Sequence, residues 1–173
     1  MDNLTNNHHI ALLLMTFLPL LTGLLVALAQ PLGREAASRW IALGGTVLTF
    51  LVSLQFVDDI FSQPAQFTAS VNIMWIARFH ISLLMGLDGL SGTLVLLTNL
   101  LFVLSVLGSW TAIQKRQKEF YFFLLLLQTG ILGTFLALDL ILFYIFWELM
   151  LVPLYFLIGI FGSQRRIYAS IFH

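Results

Sequence analysis

Leu140-Ile141-Leu142-Phe143-Tyr144-Ile145-Phe146-Trp147-Glu148-Leu149-Met150-Leu151-Val152-Pro153-Leu154-Tyr155-Phe156-Leu157-Ile158-Gly159-Ile160-Phe161 is the stretch that decides the fold. From Leu140 to Gln164 the chain runs 25 residues with a single charge, at Glu148. A helix rising about 1.5 Å per residue needs about 20 apolar residues to cross a hydrocarbon core about 30 Å thick. The run therefore reads as a transmembrane helix with a carboxyl group near its middle.

Outward from this segment the gaps between charges repeat the pattern. Uncharged runs of 31, 18, 26 and 19 residues lie between Asp2 and Arg34, Arg39 and Asp58, Asp88 and Lys115, and Glu119 and Asp139. With the first segment they predict an all-α polytopic membrane protein of one membrane domain, with five transmembrane helices at about 10–29, 40–57, 88–110, 119–138 and 140–162. The gap from Ile60 to Ala77 is excluded because Ser62, Gln63, Pro64, Gln66, Thr68, Ser70 and Asn72 make it polar. It belongs to a long outer loop, 58–87. Within that loop Phe67, Ala69, Val71 and Ile73 alternate with Thr68, Ser70 and Asn72, and Phe79, Ile81 and Leu83 with Arg78, His80 and Ser82. That period predicts a small β-hairpin lying on the outer membrane face, with an ordered coil packed on helix ends as the alternative.

Composition narrows the chemistry. Of 173 residues 60% are hydrophobic and 9% charged, against roughly 25% charged in a soluble domain. Eight basic residues balance eight acidic ones, which argues against a nucleic-acid partner. The chain has no cysteine, so Fe–S clusters, Cys-type zinc sites, thioether haem attachment, disulfides and thiol nucleophiles are excluded. His8, His9, His80 and His173 fall outside the expected apolar cores, so no bis-His haem is held within the membrane. No G-x-G-x-x-G or phosphate-loop motif occurs. Any redox chemistry that this protein serves must happen in another subunit.

With five spans, Arg34, Arg39, Lys115, Arg116, Lys118, Arg165 and Arg166 share one side, and only Arg78 falls opposite. The positive-inside rule then places the N-terminus outside the cytoplasm or its organellar equivalent. Ala27-Leu28-Ala29 looks like a signal-peptide cleavage site. No positive charge precedes the run, however, and it exceeds the usual 7–15 residues of a signal core, so the first span is expected to be retained.

Glu148 is the principal candidate for chemistry. It lies nine residues after Asp139, about 13.5 Å into the membrane by helical rise. An ionisable group at that depth costs about 2.5–3.5 kcal/mol on insertion scales and normally faces a protein interior or a hydrated cavity with a partner. An apolar medium favours the neutral carboxyl and a nearby cation the charged one, so moving the cation switches its proton occupancy. A permanently protonated carboxyl bonding between helices is the structural alternative. Tyr144 and Tyr155 share the helix face of Glu148 as hydrogen-bond partners. Pro153 leaves the Leu149 carbonyl without its intrahelical donor, and a bend is expected there. Asn99 with Thr98, and Gln128 with Thr129, read as helix-to-helix glue, with a water-wire role as the alternative. Asp88 and Asp139 stand at the outer starts of spans as N-caps; Asp139 reads equally as a proton-gathering group at the mouth of a path.

Three motifs carry a resemblance: Gly86-Leu87-Asp88-Gly89-Leu90-Ser91, Leu136-Ala137-Leu138-Asp139-Leu140, and Phe146-Trp147-Glu148-Leu149-Met150-Leu151-Val152-Pro153-Leu154-Tyr155. Together with Arg165-Arg166-Ile167-Tyr168-Ala169-Ser170, they resemble subunit M (chain 4) of type-1 NADH:quinone oxidoreductase, respiratory complex I. Before residue 60 the match is in hydropathy alone. The resemblance implies a proton-translocating, antiporter-like subunit of a membrane arm, lodged beside other membrane-arm subunits in an energy-coupling membrane such as the bacterial inner membrane. In that family the carboxylate matching Glu148 pairs with a lysine on a later broken helix, and the position matching Asp139 is a recurrent acidic site. The resemblance places no cofactor in this chain; FMN, Fe–S clusters and quinone are expected in partner subunits. Family members have about fourteen membrane helices, so the chain is expected to be an N-terminal portion, truncated, or divergent at its end. An Mrp-type cation/proton antiporter module and a non-pumping assembly subunit are the alternative readings.

Overall fold

The computed structural model describes residues 2–28, 35–62, 69–76 and 81–162. Its order is α1 (Asp2–Leu28), α2 (Glu35–Leu54), α3 (Val57–Ser62), β1 (Ala69–Ile76), β2 (Ile81–Leu87), α4 (Gly89–Ala112), α5 (Gln117–Leu136) and α6 (Leu140–Phe161). Five of these helices (α1, α2, α4, α5 and α6) are long and apolar enough to cross a membrane. Arg34, Phe67, Thr68, Arg78, Phe79, His80, Arg165, Arg166 and His173, named above, lie outside the described residues.

Two elements depart from the expected pattern. Helix α1 begins at Asp2, well before the apolar run, because hydropathy counts the residues that face lipid, whereas a helix can extend past them into the interface. The segment after α2 is not all loop: α3 forms there, with Phe56 and Ile60, one turn apart, both buried in the core. The hairpin is present. Strands β1 and β2 pair antiparallel, with Val71 opposite Met85 and Ile73 opposite Leu83. Val71, Met85 and Leu87 are buried and seat the hairpin, while Asn72, Ile73 and Met74 are exposed, so burial is confined to the end of the hairpin next to α4 rather than alternating along the strand.

Lipid tails are as apolar as leucine, so helices in a membrane associate through close packing and polar contacts rather than through exclusion from water. Two clusters do this here, one at each end of the bundle. Under the hairpin, Leu12, Met15, Phe56, Ile60, Met85, Leu87, Val95, Leu132, Leu136 and Phe146 pack together. At the other end Val26, Ala42, Phe102, Val106, Tyr121 and Leu125 do so. Helix α5 is central, touching α1, α2, α4 and α6. Helix α6 is peripheral, held chiefly by α5 and β2.

Caps settle where the helices start on the hairpin side. The Asp88 carboxylate accepts from the Ser91 N–H at 2.7 Å, and the Ser91 hydroxyl accepts from the Asp88 N–H at 3.0 Å, a reciprocal capping box opening α4. Asp139 opens α6, its Oδ1 accepting from the N–H groups of Ile141 at 2.9 Å and Leu142 at 3.1 Å. The turn between α5 and α6 is tied to the hairpin, with the Leu138 N–H donating to the Leu84 carbonyl at 2.9 Å. Hairpin, both caps and the start of the Glu148 helix thus form one assembly at one membrane face. At the other face the α4–α5 turn contains Arg116, at φ 56 and ion-paired with Glu119. There too the Trp40 and Trp110 rings meet edge to face at 4.9 Å, with the Arg39 guanidinium 5.5 Å from the Trp110 ring centre, in the manner of an interfacial aromatic anchor.

Candidate functional site: a carboxyl on the open face of α6

The rotation of α6 is set by its contact with α5. Gly130 lies so close to α6 that a Cβ there would stand 2.9 Å from the backbone N and Cα of Met150, and one on Gly133 would stand 2.2 Å from the Phe146 ring. Only residues without side chains permit this approach. Phe123 stacks on Phe156 at 4.9 Å, and Phe120 meets Phe161 at 5.1 Å, extending the seam to the other end. Leu142, Phe146 and Pro153 are consequently the buried residues of α6.

At 100° per residue, Glu148 comes out on the opposite side of the helix from this seam, as do Tyr144 and Tyr155. Burial agrees: Glu148 is exposed, and Tyr144 and Tyr155 are 61% and 51% exposed. The expected shared face is present, but it does not look into a protein interior; it looks away from the other five helices. Tyr144 lies one turn before Glu148 on this face, the spacing at which i and i+4 side chains are neighbours. Among the described residues no Lys or Arg pairs with Glu148. Pro153 sits within an unbroken helix and points into the seam, so it is not beside the carboxylate.

This face differs from the rest of the bundle surface. On α1, α2 and α4 the exposed large side chains are mostly aliphatic, such as Leu21, Leu25, Leu48, Leu51, Leu97 and Leu104, which suits lipid. On α6 they include Tyr144, Trp147 and Tyr155 beside Glu148. A bare carboxyl at mid-membrane depth facing hydrocarbon is too costly to persist. Helix α6 is the least buried of the five long helices.

The remaining polar candidates sit elsewhere. Asn99 and Gln128 are fully buried, and the Gln128 amide donates to the Asn99 carbonyl oxygen at 3.0 Å, joining α4 to α5. Asp88 is an outer cap; the Ser91 N–H and hydroxyl hold its carboxyl below the usual carboxylate range. Asp139 caps α6 and is half-buried. His8 and His9 lie on α1 near the hairpin end, His8 edge-on to Phe56 at 5.7 Å. No group of three His, Asp or Glu side chains converges among the described residues. Gly130 and Gly133 were not singled out from the sequence, although two glycines three apart in an apolar span are a signal of close helix crossing.

A family model described as "NADH:quinone oxidoreductase/Mrp antiporter, TM" matches residues 137–173. The chain is 41% identical over 166 residues to NADH-quinone oxidoreductase subunit M of Pseudomonas aeruginosa, covering 88% of this chain and 32% of that protein. To subunit M of Escherichia coli K12 it is 42% identical over 153 residues, covering 85% and 30%. A chain of respiratory complex I from Thermus thermophilus superposes with a TM-score of 0.76 at 26% identity, covering 92% of this chain and 31% of that one. An archaeal sulfane sulfur reductase complex shares the fold, with a TM-score of 0.76 at 18% identity.

Fold and site together define an antiporter-like multi-pass membrane subunit. The chain belongs to the family of NADH-quinone oxidoreductase subunit M, also called chain 4, and spans about a third of the length of the curated relatives it matches.

Proposed function

We propose that this chain acts in the membrane arm of an NADH:quinone oxidoreductase, where electron transfer from NADH to quinone drives protons across the membrane, and that Glu148 is its proton-carrying group. The observation that carries the reading is a carboxyl at mid-membrane depth on the exposed face of α6, the least buried of the five long helices among the described residues. Covered by protein that brings a cation, the carboxyl is charged when the cation is near and takes up a proton when it withdraws. Tyr144, one turn earlier on the same face, supplies a donor to the charged form; Tyr155, further along that face, is a second. Asp139 stands at the outer start of the helix, where a proton path would open. Hydride and electron transfer belong to partner subunits that hold FMN, Fe–S clusters and quinone, and the lipid bilayer, such as a bacterial inner membrane, surrounds the rest.

The test is Glu148→Gln in the assembled complex, which keeps the side-chain shape and removes the exchangeable charge. NADH-driven proton uptake into membrane vesicles should fall by at least tenfold while the complex still assembles; unchanged uptake would sink the reading. The matched family model also names Mrp antiporters. Exchange driven by an imposed cation gradient without NADH or quinone, in membranes where no flavin or Fe–S protein co-purifies with the chain, would favour that second reading.

A further inference from the structure

We propose that Asn99 and Gln128 hold one water molecule in the interior of the bundle, at mid-membrane depth, on the far side of α5 from α6. Two primary amides meeting head to head can form two reciprocal hydrogen bonds, each N–H to the other's carbonyl. Here one is made, Gln128 Nε2 to Asn99 Oδ1 at 3.0 Å. The other pair, Asn99 Nδ2 and Gln128 Oε1, has no partner among the described residues, although both side chains are fully buried. An amide group left unpaired in an apolar interior costs about 1–3 kcal/mol, and here two such groups flank one hydrogen bond.

The chemistry of the two unpaired groups selects the ligand. One is an amide N–H donor and the other a carbonyl acceptor. A cation would be repelled by the donor and an anion by the acceptor, whereas water accepts from one and donates to the other. The selection is the same with both amides turned over, since Asn99 Oδ1 and Gln128 Nε2 would then be the unpaired acceptor and donor. Buried waters in proteins make about three such bonds and are costly to remove. Gly130 and Gly133, which seat α6, lie on the opposite side of α5 from Gln128 by helical rotation. The hydration site is thus separate from the Glu148 face and does not depend on the reading of that face.

The test is a cryo-EM map of the native membrane complex at a resolution that shows other buried waters. One ordered density peak within hydrogen-bond distance of Asn99 Nδ2 and Gln128 Oε1 is expected, lost in Gln128→Leu. A map in which the amides close into two direct bonds, or in which no peak stands between them, would overturn the assignment. Should Gln128→Leu fail to assemble, the wild-type map alone decides.

Discussion

At the scale of single residues the two aspartates at the hairpin end, Asp88 and Asp139, both cap helices, and substitution separates capping from proton transfer. Asp88 is held in its charged form by the Ser91 N–H and hydroxyl, so its folded-state pKa lies below the ordinary value of 3.8. A depressed carboxyl contributes its stability above the unfolded pKa and loses it as pH falls through the folded one. Asp88→Ala should therefore lower the stability of the complex at neutral pH by about 1 kcal/mol, the usual worth of an N-cap. In thermal melts the gap between variant and wild type should close on acidification below the ordinary carboxylate range; a gap independent of pH would contradict the capping account. Asp139 caps α6 through the Ile141 and Leu142 N–H groups with no reciprocal bond among the described residues, and in the proposed function it stands where a proton path would begin. Asp139→Asn keeps a side-chain oxygen for the cap and abolishes the titration. Wild-type stability with reduced proton uptake would show a role in proton entry, whereas wild-type uptake would leave Asp139 as a cap alone.

At the scale of elements the rotation of α6 is the feature on which the site depends. A methyl on Gly130 meets the Met150 backbone, which has no rotamer to change, whereas one on Gly133 meets a ring that can be made smaller. Gly130→Ala should cost about 1–3 kcal/mol, as overpacking does, and disturb assembly of the complex. Gly133→Ala should be partly rescued by Phe146→Leu, and Gly130→Ala should not. Equal rescue would mean that the seam is looser than described. Much of this was legible beforehand. The spans showed in the charge gaps, the hairpin in the alternation around Val71 and Ile73, and the caps in Asp88-x-x-Ser91 and at Asp139. Spacing alone also put Tyr144, Glu148 and Tyr155 on one face. Which way that face pointed was not legible, because α6 is almost uniformly apolar and lacks the polar stripe that reveals orientation in water. Two glycines on another helix decide it. Helix α3 escaped notice because only Phe56 and Ile60 mark it, and two apolar residues one turn apart occur by chance in any membrane protein.

For the molecule as a whole, basic residues collect at the end of the α4–α5 turn and the hairpin covers the other. The positive-inside rule predicts the hairpin outside and Lys115, Arg116 and Lys118 inside. Because the chain has no cysteine, single introduced thiols report it cleanly. Ser70→Cys, on the exposed side of the hairpin, should react with an impermeant reagent from the outer face, and Gln114→Cys from the inner face; the opposite labelling would invert the topology. The larger consequence of the architecture is asymmetry. Exposed side chains of α1, α2 and α4 are mostly aliphatic, while α6 presents a carboxyl, costly in lipid, between two tyrosines. Redox-induced infrared difference spectroscopy on the assembled complex tests the central claim most directly. The account predicts a carboxyl band that appears or disappears on NADH oxidation in the wild type and is missing in Glu148→Gln. Identical difference spectra for the two proteins would contradict it.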